Sequence, residues 1–209
     1  MWIPDYYKIE DKQIITDFIK SVSLGTLVSQ DIDYPMATHT PMEIEETENG
    51  TQMLRGHIAK VNPHSQLFKG ESKVLAIFHS PASHYISSSW YEKPNAPTWN
   101  YMSVHVYGKL KILDETETWD AVARLTDRHE QISERPISLE TLPKSVQRML
   151  KGVTGFEIEI EKVEAAFKLS QNRNDKDYKN IIAELKKVGS TGANLMVRAL
   201  EERLGREGE

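Results

Sequence analysis

The sequence predicts a mainly β fold with peripheral helices, an α+β chain built on a closed or partly closed antiparallel barrel. Three observations lead to this prediction. Six or seven strand-like runs are joined mostly by hairpin-length turns, residues 101–112 alternate apolar and polar side chains, and helical periodicity is confined to the start, one crossover and the end. The 209 residues, 39% of them hydrophobic, are enough to bury a sizeable core.

The first third of the chain predicts a helix followed by an antiparallel meander. Apolar residues at helical spacing after Asp11 predict an amphipathic helix over residues 11–22. Two hairpins follow, and Asn-Gly is the strongest short hairpin signal. The expected strands are Leu24–Ser29 and Pro35–Pro41 around residues 31–33, then Met42–Thr47 and Thr51–Ala59 around Asn49-Gly50.

The middle of the chain predicts a short helix, two strands and a loop. Asn62 before Pro63 is a good N-cap, and the short helix that it begins is stopped by Gly70. Lys73–His79 is too apolar for a surface strand, so we expect it in the centre of the sheet. Ser83–Tyr91 is expected to be a strand, and residues 92–100, with two prolines, a loop that carries Trp99.

The last part of the sequence predicts two long strands and several helices. Gly108 interrupts the apolar face of the strand 101–112, which indicates a bulge or a close backbone approach. Asp114 with Glu117 resembles a capping box for a helix to about Glu130. The remaining expected elements are a helix Lys144–Leu150, a strand from Phe156, and helices at 175–188 and 191–204. We therefore expect a barrel domain at 1–167 and a helical segment at 168–209 packed on the barrel or on a dimer partner.

Composition excludes several classes of site. The chain has no cysteine, which rules out disulfides and Cys-based metal centres, and its seven histidines form no tight ligand motif, so no metal is expected. Residues 1–167 carry 17 Lys and Arg against 24 Asp and Glu, whereas the rest carries 9 against 7. An acidic body argues against nucleic acid as the partner of most of the surface. No apolar run reaches the length of a membrane span and no leader pattern is visible, so we expect a cytoplasmic protein without a membrane partner.

The stretch from Leu54 to Pro63 is a candidate phosphate site. It runs from a predicted strand into a predicted helix start, with Arg55 and Lys60 nearby. The first turn of a helix offers unpaired N–H groups and partial positive charge, which attract phosphate. The alternative is an ordinary strand-to-helix connection with solvated basic side chains.

Hydroxyl and aromatic side chains are concentrated further along the chain. Ser87, Ser88 and Ser89 precede Trp90, and Trp99 follows after a short connection. A serine-rich strand that merely alternates faces would explain the first group. Taken with the candidate phosphate site, however, these residues supply what a flavin requires: cations for its phosphate, polar groups for the ring edge and an aromatic wall for the ring face.

Five motifs in order resemble the PaiB-type transcriptional regulators over nearly the whole chain. These are residues 37–41 (ATHTP), 56–63 (GHIAKVNP), 85–91 (YISSSWY), 97–101 with 105–108 (PTWNY, HVYG), and 167–173 (FKLSQNR). The resemblance implies the FMN-binding split β-barrel fold of the pyridoxamine-phosphate oxidase and flavoredoxin-like proteins. It also implies FMN as cofactor, a homodimer with flavin sites at the subunit interface, and negative regulation of protease production and sporulation.

The resemblance also implies which residues contact the flavin. Thr38 and His39 would line the site from one strand, and Ser87, Ser88 and Trp90 would face the ring. The phosphate side would be held by His57, Ala59, Lys60 and Asn62. The fourth motif adds Trp99, and the last motif would close the site with Lys168, Ser170, Gln171 and Arg173.

Other functions remain open at this point. An FMN-dependent oxidoreductase acting on a small molecule would use the same pocket, and a haem-binding barrel would need His39, His57 or His84 as an axial ligand. Direct DNA contact is a further alternative, because the last two helices are joined at Gly189 as in a helix-turn-helix. Their apolar stripes, however, favour packing onto the barrel or a partner.

Overall fold

Eight strands and five helices form the part of the chain that the computed structural model describes, residues 1–47 and 49–207. The strands are β1 (Lys8–Ile9), β2 (Leu24–Ser29), β3 (Met36–Glu46), β4 (Gln52–Ala59), β5 (Ser72–His79), β6 (His84–Ile86), β7 (Thr98–Ile112) and β8 (Val153–Lys168). The helices are α1 (Lys12–Ser21), α2 (Glu115–Glu130), α3 (Lys144–Gln147), α4 (Asp175–Val188) and α5 (Thr191–Glu207).

The chain divides into two units. The barrel unit contains Thr16–Phe78 and His105–Val163. The terminal unit contains Met1–Ile15, His79–Val104 and the chain from Glu164 onward. The predicted boundary at residue 167 stays a prediction.

The barrel unit is a closed antiparallel barrel, as predicted. Its strands follow the order β8-β4-β3-β2-β5-β7, and pairing of β8 with β7 closes the circle. The pairs β2–β3, β3–β4 and β4–β8 are antiparallel neighbours. The core is made of fully buried inward-facing side chains, among them Leu27, Met42, Leu54, Phe156 and Ile158. The apolar strand β5 lies inside the sheet between β2 and β7, where the sequence predicted a central strand.

Local signals in the barrel unit act as the sequence predicts. Gly50 has a φ of +76° in the turn between β3 and β4, a conformation that favours glycine. The side chains of Asp114 and Glu117 form a full capping box at the start of α2. Gly108 permits a close approach of β7 to β8, since a Cβ there would lie 2.1 Å from the carbonyl oxygen of Glu159.

In the terminal unit, each of two short strands pairs with the end of a long strand, and two helices pack on each other. Lys8 of β1 pairs with Ala166 of β8, and Tyr85 of β6 pairs with Trp99 of β7. The Asn174 side chain accepts the N–H of Asp177 to cap α4. Both helices contribute fully buried side chains to the core, among them Ile181 and Leu185 of α4 and Ala193, Met196 and Leu200 of α5. The apolar stripes of α4 and α5 are therefore used for packing.

The structure corrects three of the predicted elements. Met36–Glu46 form one continuous strand, because Pro41 pairs with Leu24 at the end of β2, where a missing N–H costs little. The predicted strand Ser83–Tyr91 ends at Ile86, because Ser87 accepts the N–H of Ser89 and begins a 3-10 turn. Trp99 lies on β7 and not in a loop, since Pro97 stops just before the first strand residue.

Candidate functional site

The predicted site residues fall into both units, and each group is described by itself. The barrel unit holds Thr38, His39, His57, Ala59, Lys60 and Asn62. The terminal unit holds Ser87, Ser88, Trp90, Trp99, Lys168, Ser170, Gln171 and Arg173.

In the barrel unit, Thr38, Asn62 and His64 form a hydrogen-bonded network. The Asn62 Oδ1 accepts the backbone N–H of His64 at 3.0 Å, and its Nδ2 donates to Thr38 Oγ1 at 3.3 Å. Thr38 Oγ1 is 2.8 Å from Nδ1 of His64. The 3-10 turn at Pro63–Leu67 therefore uses one of its first donors internally, contrary to the expectation that they are all unpaired.

His64 lies outside the set of residues that the sequence assigned to the flavin site. Its ring is fully buried, lies 5.1 Å from the Phe68 ring centroid, and has no partner for Nε2 among the described residues. Burial lowers the pKa of His64, so the ring is neutral near pH 7. The Thr38 hydroxyl can donate its proton to Nδ1, which leaves the ring proton on Nε2 as an unused buried donor. No local pattern indicates this, because the partner Thr38 is distant in sequence.

The other predicted residues of the barrel unit point elsewhere. His39 is exposed and its Nδ1 lies 2.9 Å from Thr26 Oγ1. His57 faces α2, where it lines a small cavity with Ala121 and Leu125, and burial lowers its pKa. Ala59 is exposed at the end of β4. Lys60 is exposed too, and its side chain lines a cavity beside α2.

In the terminal unit, two tyrosines and two cations form what we call the cation–tyrosine cluster: Tyr7, Tyr91, Lys168 and Arg173. The Lys168 Nζ lies 5.6 Å from the Tyr7 ring centroid, and Arg173 Cζ lies 4.7 Å from that of Tyr91. Lys168 also donates to the Thr98 hydroxyl. Neither cation has a carboxylate partner in the described part of the chain.

The two cations affect each other and their neighbours. Desolvation by burial, and then the charge of Arg173, lower the pKa of Lys168. Burial, followed by Tyr6, raises the pKa of Tyr7, which Arg173 opposes. Two half-buried positive charges without a counter-ion repel each other, so a bound anion would stabilise this cluster.

The turn after β8 holds Lys168 and Arg173 in place. Ser170 has a φ of +58°, and the Arg173 N–H donates to its carbonyl at 3.0 Å. The side chain of Gln171 stabilises this turn. It accepts the N–H of Leu169 and donates to the carbonyl of Phe167, at 2.7 Å each. Gln171 therefore shapes the turn, and its contact with a ligand stays a prediction.

Two buried polar atoms of the terminal unit lack partners among the described residues. The Ser170 hydroxyl donates to Oδ1 of Asn100 at 3.0 Å, but Nδ2 of the fully buried Asn100 is unpaired. The hydroxyl of Tyr91 is unpaired as well. Buried polar groups are normally satisfied, so such atoms are candidates for ligand contacts. The sequence did not single out Tyr7 or Asn100, because their roles depend on long-range strand pairing.

The serine and tryptophan residues lie on and around β6. Ser87 is engaged in its own turn with Ser89, and Ser88 is half-buried in the same turn. Trp90 stacks on His84 with ring centroids 6.2 Å apart. Trp99 is 56% exposed and meets the Tyr85 ring edge-on, so an aromatic face is open to a ligand or a partner.

Among residues 1–47 and 49–207, no helix combines the length and apolarity that a membrane crossing requires. In the same range, no three His, Asp or Glu side chains lie close enough to hold a metal ion.

Comparison with known proteins gives the family. Residues 1–162 match the model of the family described as "Putative FMN-binding domain". The chain is 36% identical over 208 residues to "Protease synthase and sporulation protein PAI 2" of Bacillus subtilis, covering 99% of this chain and all of that one. This alignment extends beyond the family model and therefore spans the cation–tyrosine cluster.

Solved structures agree on the fold. The FAD and haem binding protein of Mycobacterium smegmatis superposes with a TM-score of 0.59 at 13% identity, over 83% of this chain and 79% of the other. The flavocytochrome Anf3 of Azotobacter vinelandii gives a TM-score of 0.56 at 14% identity, over 85% and 78%. The predicted split-barrel fold is confirmed, and so, at the level of the family, is FMN as the cofactor. The chain belongs to the FMN-binding domain family and is a relative of the Bacillus subtilis sporulation protein PAI 2.

Proposed function

We propose that the protein is an FMN-binding regulator that represses protease production and sporulation, and that it acts as a homodimer. The relation to PAI 2 supports the biological role, because it extends over the whole of both chains. The observation that carries the flavin part is the cation–tyrosine cluster, which offers two cations that have no counter-ion among residues 1–47 and 49–207.

The FMN phosphate is the ligand group that best fits Lys168 and Arg173. A phosphate dianion would remove the repulsion between the two half-buried charges and accept charge-assisted hydrogen bonds from both. No carboxylate in the described part of the chain pairs with Arg173, so its guanidinium donors are available for phosphate oxygens. Lys60, the cation that the resemblance assigned to the phosphate, is exposed and lines the cavity beside α2.

The surrounding residues orient these cations. Thr98 holds the Lys168 ammonium, and the backbone bond from Arg173 to Ser170 positions the start of the arginine side chain. The unpaired Nδ2 of Asn100 and hydroxyl of Tyr91 are the buried polar groups left for a ligand. When bound, FMN supplies a redox-active ring, and Trp90 and Trp99 are the aromatic side chains of this unit proposed to face it. Contacts from Thr38, His39, His57, Ala59 and Asn62 stay predictions.

An FMN titration followed by flavin fluorescence tests the assignment. Lys168→Met and Arg173→Met should each weaken FMN binding by about ten- to hundred-fold, since a charge-assisted hydrogen bond contributes ~1.5–3 kcal/mol. Lys60→Met is the matched control and should leave the affinity within about two-fold. A loss confined to Lys60→Met would move the phosphate to the end of β4 and overturn the assignment.

Three further measurements test the regulator and dimer parts of the proposal. In Bacillus subtilis lacking PAI 2, this protein should restore repression of an extracellular protease reporter. Light scattering should give twice the chain mass of 23.9 kDa. A salt-sensitive gel shift with the promoter of the repressed gene would show that repression works through direct DNA contact. If the protein represses the reporter but gives no such gel shift, repression works through a protein partner or through metabolism.

A further inference from the structure

The barrel unit contains a cavity of about 540 Å³ beside the start of α2. Its apolar lining comes from three segments: Leu113 before the helix, Trp119 in its second turn, and Leu150 and Val153 after α3. Leu113 is buried and Trp119 half-buried, so the floor is fixed by the core. This volume lies in the range of pockets that bind small organic molecules.

The rim of this cavity is positive although the protein is negative. The whole chain has a net charge of −5, but four cations line this cavity against two acidic residues. The cations are Lys60, Lys144, Arg148 and Lys151, and the acidic residues are Asp114 and Glu115.

The cations and the carboxylates that line this cavity do not form ion pairs with one another in the described part of the chain. Asp114 is occupied by the capping box, where its Oδ1 accepts the N–H of Glu117 at 2.8 Å. Lys144 donates to Gln147 at 3.0 Å, which is a neutral partner. Lys60, Arg148 and Lys151 have no carboxylate partner in the part of the chain that the structure describes. The capping box occupies the backbone N–H groups of Asp114 and Glu117, and we assign an anion here to the cationic side chains of the lining.

We propose that this cavity binds a small organic acid, an apolar body of ring or branched-chain size that carries one anionic group. The apolar body would lie against Leu113, Leu150 and Trp119, and the anionic group would meet Arg148 and Lys151 at the rim. A neutral apolar molecule would leave the cations without a partner, and a polyanion without an apolar body would leave the floor exposed. The protein would then have a binding site for a small organic acid in addition to its flavin site.

Two fluorescent probes that differ in charge test the proposal. The probe 1-anilinonaphthalene-8-sulfonate has an apolar body with one anionic group, and N-phenyl-1-naphthylamine is its neutral analogue. The sulfonate should bind one site per chain with saturation. Arg148→Gln/Lys151→Gln should weaken it about ten-fold, in keeping with two exposed charge contacts, and leave the neutral probe within two-fold.

Matched controls separate this site from general charge effects and from the flavin site. Lys12→Gln/Lys93→Gln removes two exposed lysines elsewhere and should change neither affinity. Leu150→Trp should narrow the cavity and weaken binding of both probes, with the far-ultraviolet circular dichroism unchanged. Saturating FMN should not displace the sulfonate.

Each contrary result overturns the proposal. These results are the absence of saturable sulfonate binding, an equal loss with the control pair, unchanged binding by folded Leu150→Trp, and displacement by FMN. If Leu150→Trp does not fold, the Arg148 and Lys151 pair decides alone, since both side chains are exposed. A protein that binds the sulfonate but not FMN would support this proposal and contradict the flavin assignment, so the two failures are distinguishable.

Discussion

Replacing Gly108 by alanine should open the barrel at its closure. The added Cβ would lie 2.1 Å from the carbonyl oxygen of Glu159 and 2.7 Å from Cγ2 of Ile158. The nearest atom belongs to the backbone of β8, so relief requires β7 and β8 to separate. Overpacking of a fixed core costs about 1–3 kcal/mol, and the loss of about two ladder hydrogen bonds costs about 2 kcal/mol more, which together give about 3–5 kcal/mol.

Urea denaturation of Gly108→Ala and Gly152→Ala measures this cost. A Cβ on Gly152 meets nothing within 4 Å, so this control should stay within about 0.5 kcal/mol of the wild type. Both variants lose the same unfolded-state freedom, and the difference between them reports the close approach alone. With an m-value of roughly 2 kcal/mol/M, the midpoint of Gly108→Ala should fall by about 2 M. Equal midpoints for the two variants would refute the argument that this glycine is required for closure.

Three further changes should affect stability in defined directions. Arg55→Met should cost about 1–3 kcal/mol in urea denaturation, because it removes the cation that the half-buried Glu45 and Glu157 share at 2.8 and 3.2 Å, although Arg124 and Lys111 still pair with them; a cost below about 0.5 kcal/mol would contradict this. Burial lowers the pKa of His57 and His64 in the folded state, so stability should be full above the unfolded pKa of about 6.5 and decline as the pH falls below it; a stability curve that is flat between pH 7.5 and 5.5 would contradict the burial of these rings. Ser170→Ala should be less stable than Ser170→Gly by about 1 kcal/mol in thermal unfolding, since the φ of +58° favours glycine, and the reverse order would contradict the left-handed backbone.

Local sequence signals predicted those parts of the fold that depend on neighbouring residues. The Asn49-Gly50 turn, the capping box at Asp114 and the end of α4 at Gly189 are confirmed, because each depends on a few adjacent side chains. The same holds for the close approach at Gly108, which the interrupted alternation of the strand indicated.

Two of the errors arose where distant pairing overrides local chemistry, and the third arose at a local turn. Pro41 reads as a strand end, but its position opposite Leu24 lets β3 continue. The two prolines predict a loop over residues 92–100, but Tyr85 pairs with Trp99, so β7 begins earlier in the chain than predicted. Ser87 reads as part of a strand, although its hydroxyl captures the N–H of Ser89 and turns the chain.

The candidate site could be predicted only as a set of motifs. The family resemblance selected Lys168 and Arg173, but it could not show that they lack a counter-ion or that Tyr7 and Tyr91 lie beside them. Tyr7 reaches this place through the pairing of β1 with the end of β8, which joins residues more than 150 positions apart. His64 likewise became a candidate only through its burial and its contact with Thr38.

The ratio of FMN to riboflavin affinity tests the central claim most directly, because the two ligands differ by the phosphate alone. We expect the wild type to prefer FMN by about a hundred-fold or more, from two charge-assisted contacts at ~1.5 kcal/mol or more each. In Lys168→Met/Arg173→Met the ratio should fall to within a few-fold of one while riboflavin affinity stays unchanged. A ratio that is unchanged in this variant would contradict the assignment of Lys168 and Arg173 to the phosphate.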